Sequence, residues 1–152
     1  MVNIYEKIIL PDFIKFPISS PFGTERPDLV SSLGLKSFFH KGVDFAAPMS
    51  TPILSFLDGL IFMCGWEEPS NPKYGFGQRI WVLTKHKCFG NIRIGYCHLS
   101  SINVSHGQTI RQGEKIGESG SSGASTGPHI HIQVEKWPSR EILEPVFEKE
   151  DK

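Results

Sequence analysis

The amino-acid sequence predicts an all-β fold, a mainly antiparallel sheet arranged as a sandwich or groove with little helix. Short runs rich in β-branched and aromatic residues recur along the chain, and 15 glycines and 11 prolines are scattered between them as turn signals. No long stretch repeats apolar residues with the 3.6-residue period of a helix. The clearest β-like runs are residues 51–56, 79–83, 92–98 and 129–134.

The first half of the chain contributes an arm and two loops to this prediction. Residues 1–18 are expected to form a lead-in strand or N-terminal arm. Residues 20–36 and 67–77 are expected to be loops, because Gly, Pro, Ser and Asn are frequent in them. No linker divides the chain, so residues 1–152 are predicted to form a single domain.

Two segments of the second half have patterns of their own. Residues 107–117 predict a compact turn–strand–turn unit, with Ile110 and Ile116 as apolar anchors between glycines. Residues 139–144 predict one or two helical turns that stop at Pro145. The segment 107–117 is interpreted as scaffold.

The composition excludes several classes of protein. The 152-residue chain is 39% hydrophobic and 21% charged, which allows a packed core and argues against general disorder. Lysine plus arginine number 16, as do aspartate plus glutamate, so the zero net charge gives no general attraction to nucleic acid or to an anionic membrane. No stretch approaches the roughly 20 apolar residues of a membrane span. Three cysteines with long spacings favour reduced, mostly buried thiols over a disulfide scaffold or a cysteine zinc site.

Two of the six histidines stand in a run that alternates between polar and apolar residues. The run HIHIQV places His129 and His131 on one face of a strand and the aliphatic side chains on the other. The two imidazoles then stand side by side, with Cα atoms about 7 Å apart. One metal ion can take one imidazole and leave its neighbour beside the open coordination position. Taken alone, the pair fits an exposed sheet face equally well.

An earlier segment, His40-Lys-Gly-Val-Asp44, offers two more ligands. It is a poor helix, because Gly42, Val43 and Pro48 lie close together. On a straight strand the two side chains would lie about 13 Å apart, whereas zinc ligands each lie about 2.0–2.2 Å from the ion. Joint ligation therefore requires a bend, for which Gly42 provides backbone freedom. By itself the spacing is better explained by a turn aspartate beside a surface histidine.

A fourth histidine, His98, ends a β-like run in the segment GYCHL. Taken alone, it is better explained as a half-buried strand residue. Cys97 and His98 are adjacent on a strand and point to opposite faces, so they do not form a convincing thiol nucleophile and base. His86 and His106 lie in polar, turn-like contexts and are assigned no role.

Together these motifs resemble the lysostaphin-type, LytM-like zinc metallopeptidases, which cleave peptide cross-links in bacterial cell walls. The order is HxxxD, then a histidine after a β run, then GPHxHxxxE, and this order makes the likeness specific. The matching stretches are HKGVDFAAP at 40–48, GYCHL at 95–99, GQTIRQGEKIG at 107–117 and GSSGASTGPHIH at 120–131. The resemblance implies a metallopeptidase catalytic core over residues 19–137, with residues 138–152 as a C-terminal tail. It also implies a β architecture of the duplicated-hybrid-motif type, with its site in a groove walled by loops.

By this resemblance, His40, Asp44 and His131 match the zinc ligands, and His98 and His129 match the paired catalytic histidines. Two imidazoles and one carboxylate leave an open position on Zn²⁺, which is the arrangement of catalytic rather than structural zinc. The sequence has no HExxH motif, so a glutamate base carried on a helix is not offered.

The two catalytic histidines imply two proton-transfer roles. One can accept a proton from the attacking water, and the other can stabilise the oxyanion or donate to the leaving amine. The sequence does not divide these roles between His98 and His129. Some members of the family place a tyrosine a few residues before the first ligand histidine, but Phe38 and Phe39 stand there in this chain.

The sequence thus predicts a metalloendopeptidase with one Zn²⁺ per chain that hydrolyses cross-links or stem peptides of bacterial peptidoglycan. The sequence does not decide whether the cleaved bond belongs to a glycine bridge, a D-alanyl cross-link or a stem peptide. Loops such as 67–77 and 120–127 are expected to determine which bond is cleaved. One alternative is a catalytically silent wall-binding or regulatory module on the same fold, which would lack ligands. Another is a histidine phosphocarrier, against which Asp44 and the HxH spacing argue.

The expected partner is a peptidoglycan peptide, without nucleic acid or a membrane span, and a monomer is expected. The protein is expected to act on the cell wall, in the periplasm or outside the cell. The first 20 residues do not predict a signal peptide, because Glu6, Lys7, Asp12 and Lys15 interrupt their apolar runs. Two expectations follow: release from the cytoplasm by other means, as for a phage lysin, or an export segment absent from this sequence.

Overall fold

The computed structural model describes residues 5–23 and 40–149, and these residues form strands, turns and bends without a helix. Accordingly, no helix within those two ranges could serve as a membrane span. The all-β prediction is therefore confirmed. The eleven strands are β1 (Lys7–Pro11), β2 (Ile18–Ser20), β3 (Val43–Phe45), β4 (Pro52–Leu54), β5 (Gly59–Trp66), β6 (Gln78–His86), β7 (Gly90–Ile102), β8 (Thr109–Ile110), β9 (Lys115–Ser119), β10 (Ile130–Lys136) and β11 (Ile142–Glu148).

The strands join into one curled, mainly antiparallel sheet. Its main path runs β1-β11-β10-β7-β6-β5-β8, and β2, β3, β4 and β9 branch from that path. Among the described strands, only β1 and β11 pair in parallel. β10 has antiparallel partners in β7, β3 and β11. Side chains on one face of β10 therefore come close to residues of β3 and β7.

The apolar face of this sheet forms the core. Ile130, Ile132 and Val134 of β10 are each 0% exposed, as the alternation of the sequence predicts. Each such aliphatic side chain contributes roughly 1.5–3 kcal/mol when fully buried. Tyr96 is also fully buried, and its hydroxyl accepts a 2.9 Å hydrogen bond from the Phe56 backbone N–H. Burial of this face fixes the register of β10 and directs its polar residues to the opposite face.

Most of the segment predictions are confirmed within the described residues. The four predicted β runs overlap β4, β6, β7 and β10, and residues 67–77 contain no strand. The predicted loop 20–36 lies outside the described residues from residue 24 onward. The anchors Ile110 and Ile116 are both 0% exposed and belong to β8 and β9.

The predicted helical turns at residues 139–144 are wrong. Residues from Ile142 onward belong to β11, which pairs in parallel with β1 and has two residues opposite β10. Leu143 is 1% exposed and Pro145 is buried, so the buried positions follow a period of two. Pro145 follows the residues that pair with β10, where its missing N–H interrupts no antiparallel ladder.

The predicted arm and tail contain strands that pair with each other. β1 lies within residues 1–18, β11 lies within residues 138–152, and Lys7 stands opposite Glu144 at the start of their ladder. Ile8 and Leu10 of β1 are 1% and 0% exposed and belong to the same core as the rest of the sheet. The two segments are therefore packed parts of the described fold.

Candidate metal centre

Three of the predicted site residues meet at one point. Asp44 Oδ1 lies 2.8 Å from His131 Nδ1 and 3.2 Å from His40 Nε2, and the two nitrogens lie 3.1 Å apart. Atoms that each lie about 2.0–2.2 Å from one ion must lie within about 4.4 Å of one another, and these three atoms do. The donor set of two imidazole nitrogens and one carboxylate oxygen fits the predicted cofactor, Zn²⁺.

The sheet itself brings these ligand atoms together. Asp44 lies on β3 and stands directly opposite His131 on β10. His40 lies three residues before β3 begins, and its imidazole is buried at 6% exposure. Its Nδ1 lies 3.2 Å from the Ser20 hydroxyl and 3.2 Å from the Pro21 carbonyl oxygen. The second nitrogen, Nε2, therefore faces Asp44 and His131.

Gly42 is needed at the bend between the first two ligands, but for a reason other than the predicted backbone freedom. Its φ angle is outside the left-handed region, whereas a Cβ atom there would lie 2.7 Å from Cε1 of His131. The same Cβ would also collide with the carbonyl oxygen of Ile132. The absence of a side chain at Gly42 therefore leaves the room that the His131 ring occupies.

Replacing Gly42 with alanine is expected to destabilise the protein by about 1–3 kcal/mol, the usual cost of overpacking, and to weaken zinc binding. Both effects follow from displacement of the His131 ring. Urea unfolding of the zinc-free protein and a zinc titration measure the two effects. Gly127→Ala is the matched control, because a Cβ there meets nothing within 4 Å. Equal stability and zinc affinity in the two variants would contradict this prediction.

The two predicted catalytic histidines form a second pair beside the first cluster. The rings of His98 and His129 are 4.6 Å apart at their centroids, and His98 lies 6.1 Å from His131. His98 Nδ1 donates to the Ser122 carbonyl at 2.6 Å, and His129 Nδ1 donates to the Gly127 carbonyl at 2.9 Å. Carbonyl oxygens only accept, so each neutral ring carries its proton on Nδ1 and keeps a free electron pair on Nε2.

The backbone of His98 has an unusual conformation that the sequence did not predict. Its φ angle is +63°, in the left-handed region that few non-glycine residues adopt. The register shifts at this point, since Ile80 pairs with Tyr96 and Gln78 with Leu99, so Cys97 and His98 both face Arg79. This bulge turns the His98 ring toward the site. Such strain is typical of functional positions.

The electrostatics of the site favour neutral His98 and ionised Asp44. Burial lowers the pKa of His98 to about 4, so the imidazole is unprotonated at neutral pH. Burial opposes ionisation of Asp44, but the adjacent imidazoles of His131 and His40 hold its pKa below the ordinary range. Burial also raises the pKa of the Cys97 thiol well above its usual value, which agrees with the prediction that Cys97 is not a nucleophile.

These groups line a groove with a volume of about 1110 Å³. Phe76, from loop 67–77, stacks on the His131 ring with centroids 5.6 Å apart. The groove is lined by the two histidine pairs, by acidic and basic side chains and by residues of the 120–127 loop. Its lining includes His40, Lys41, Asp44, Glu67, Phe76, His98, residues 124–128, His129, His131, Gln133, Glu135 and Arg140. Phe38 and Phe39 lie outside the described residues.

Three buried polar residues behind His131 were not predicted as part of the site. Gln133 and Glu135 follow His131 on the same face of β10, at 6% and 2% exposure, and Arg93 lies opposite Glu135 on β7 at 5% exposure. The alternation that pairs His129 with His131 also places Gln133 on this face. However, alternation predicts a face and does not predict whether that face is covered.

Comparisons with known proteins agree with this geometry. The model described as "Peptidase family M23" matches residues 38–145. The glycyl-glycine endopeptidase ALE-1 of Staphylococcus capitis is 40% identical over 101 residues, which cover 66% of this chain and 26% of that protein. This chain spans about a third or less of the length of the curated relatives it matches.

Two solved structures share the fold. The catalytic domain of the prophage-encoded M23 protein EnpA from Enterococcus faecalis is 31% identical, with a TM-score of 0.65 over 88% of this chain and 91% of that one. A zinc-containing peptidase from Vibrio cholerae is 27% identical, with a TM-score of 0.64 over 86% of this chain and 36% of that one. The family match, these two folds and the His–Asp–His cluster all point to one assignment. The chain belongs to peptidase family M23, so the predicted lysostaphin-type metallopeptidase family is confirmed.

Proposed function

We propose that this chain is a zinc-dependent endopeptidase that hydrolyses peptide bonds of bacterial peptidoglycan. In this proposal His40, Asp44 and His131 hold the metal, and His98 and His129 act on the substrate. The observation that carries the proposal is the convergence of three ligand atoms within 3.2 Å of one another beside a second histidine pair. A catalytic site needs both parts, because the ligands leave one position open and the second pair handles protons.

The chemistry that Zn²⁺ supplies at such a site is polarisation of the peptide carbonyl and activation of water. The chain's own residues provide the proton transfers. His98 and His129 each have Nδ1 fixed on a backbone carbonyl, so each ring is held with Nε2 available for a proton. One ring accepts the proton of the attacking water, and the other, once protonated, stabilises the oxyanion or donates to the leaving amine.

The groove supports a peptide substrate, and the relatives support two kinds of bond. One relative is a glycyl-glycine endopeptidase, and another is the DD-carboxypeptidase/endopeptidase Mpg of Neisseria meningitidis. We therefore keep a glycine bridge, a D-alanyl cross-link and a stem-peptide bond as candidate bonds. Loop 67–77 contributes Glu67 and Phe76 to the groove, and loop 120–127 contributes residues 124–127. We therefore assign the choice of bond to these two loops.

We further infer that residues 19–137 form the catalytic core, flanked by the arm 1–18 and the tail 138–152, and that the chain acts on the cell wall as a monomer. The likeness to a prophage-encoded M23 protein supports a phage lysin as one origin. Sedimentation of the purified chain tests the monomer. Phage genes beside the coding sequence would support the origin, and an upstream export signal without them would contradict it.

Removal of the metal is expected to abolish hydrolysis of purified peptidoglycan, and added Zn²⁺ is expected to restore it. The reason is that the histidine pair alone leaves the peptide carbonyl unpolarised. Mass spectrometry of fragments released from walls of different cross-link types measures activity and identifies the bond in one experiment. Hydrolysis that survives chelation, or that survives in His131→Ala, would contradict the proposal. Absence of bound zinc, even after Zn²⁺ is supplied, would instead favour the silent wall-binding module.

A further inference from the structure

A continuous chain of buried polar side chains runs from His131 away from the metal cluster. His131 Nε2 lies 2.9 Å from Gln133 Oε1, and Gln133 Nε2 lies 2.7 Å from Glu135 Oε2. The other carboxylate oxygen, Glu135 Oε1, lies 2.7 Å from Arg93 Nη2 and 2.9 Å from Arg93 Nε. Gln133 and Glu135 are only 6% and 2% exposed, so water does not compete strongly for these bonds.

Arg93, at the end of this series of side chains farthest from the metal cluster, determines which group donates in each hydrogen bond. Arg93 only donates, so the carboxylate of Glu135 accepts from it and needs a further donor at Oε2. The amide nitrogen of Gln133 is that donor, which places the amide oxygen toward His131. An amide oxygen only accepts, so Nε2 of His131 carries the ring proton. In the neutral form of the ring, which is the form that ligates a metal, the electron pair of His131 then lies on Nδ1, the atom that faces Asp44 at 2.8 Å.

We propose that Gln133 and Glu135 are positioning residues that hold His131 in the Nε2–H tautomer and so set the affinity of the site for zinc. This inference rests on the proposed function, because it takes His131 as a ligand. Partners of this kind fix the orientation of a ligating imidazole and raise its basicity, and their loss commonly costs about 10–100-fold in metal affinity. This series of hydrogen bonds gives a role to Glu135, the glutamate of GPHxHxxxE, which is neither a proposed zinc ligand nor a proposed catalytic residue.

A purely structural role for Gln133 predicts a different outcome. The side chain would then only fill space between His131 and Glu135, and methionine, which has a similar length and no amide, would replace it without effect on the metal. In the positioning role, methionine removes the acceptor for His131 Nε2. The ring then loses its tautomer preference, and part of the population presents a protonated Nδ1 to the cluster.

The test compares zinc affinity by competition with a chromophoric chelator in the full chain, with thermal unfolding of the zinc-free protein measured alongside. Gln133→Met is expected to bind zinc about 10–100-fold more weakly than the original chain. Gln112→Met is the matched control, because Gln112 lies in the exposed turn between β8 and β9, and its affinity is expected to be unchanged. Unchanged affinity in Gln133→Met would overturn the inference.

A second variant keeps the test valid if Gln133→Met is poorly folded. The exchange Gln133→Glu with Glu135→Gln retains one carboxylate, an acceptor for His131, a donor between the two side chains and an acceptor for Arg93. Zinc affinity close to that of the original chain is expected. An exchanged variant that folds and binds zinc as weakly as Gln133→Met would overturn the inference. Failure of the original chain to bind zinc would instead overturn the proposed function, and this inference with it.

Discussion

Replacing His129 with alanine is expected to lower kcat/KM for a peptidoglycan peptide by about 10²–10⁴-fold, the usual contribution of a general acid or base, while zinc stays bound. His129 lies beside His98, with ring centroids 4.6 Å apart, and its Nδ1 is held by the Gly127 carbonyl. Its removal therefore deletes a proton carrier and leaves the three ligand atoms in place. His98→Ala is expected to have an effect of the same size for the same reason.

Steady-state kinetics and metal analysis of each variant measure the two effects separately. His106→Ala is the matched control, since His106 is exposed in the turn before β8 and has no predicted role. The double variant of His98 and His129 is expected to be little slower than either single variant, because residues that act as a unit are not additive. Loss of zinc together with activity would contradict the assignment of His129 to catalysis and place it in the metal site.

The sequence predicted the strand face of His129 and His131 but not the space around the site. Alternation in residues 129–134 correctly separated the imidazoles from the isoleucines, because burial of one face follows directly from a period of two. The joint site of His40 and Asp44 required a bend that no local pattern specifies. The bend brings Gly42 against the His131 ring, where a side chain would not fit. This contact joins segments that are far apart in the sequence.

Two other features depend on long-range pairing for the same reason. Residues 139–144 have local signals for a helical turn. However, residues from Ile142 onward pair with β1 and β10 instead, and this pairing outweighs the local preference. The left-handed conformation of His98 exists because β6 has one residue fewer than β7 at that point. Local propensity cannot predict either feature, because both are set by partners contributed by distant strands.

Replacing Arg93 with methionine is expected to destabilise the fold by about 3–5 kcal/mol, the usual cost of leaving one member of a buried ion pair alone. Glu135 is 2% exposed and would keep a carboxylate without its main partner. The guanidinium group also lies 3.8 Å from the ring centroid of Trp81 and 4.7 Å from that of Trp137, and these cation–π contacts would be lost as well. Urea unfolding of the zinc-free protein measures the change, since bound zinc would add its own stabilisation.

Arg111→Met is the matched control, because Arg111 is exposed and its loss should be nearly neutral. A loss below about 1 kcal/mol in Arg93→Met, the size of an exposed ion pair, would contradict the prediction. The double variant Arg93→Met with Glu135→Met is expected to recover most of the lost stability, because it removes both buried charges. The double variant also lacks the acceptor for the Gln133 amide, so it is expected to bind zinc more weakly than the original chain. The double variant would then regain stability without regaining zinc affinity. This outcome is expected only if Glu135 supports the metal ligand His131 as well as the fold.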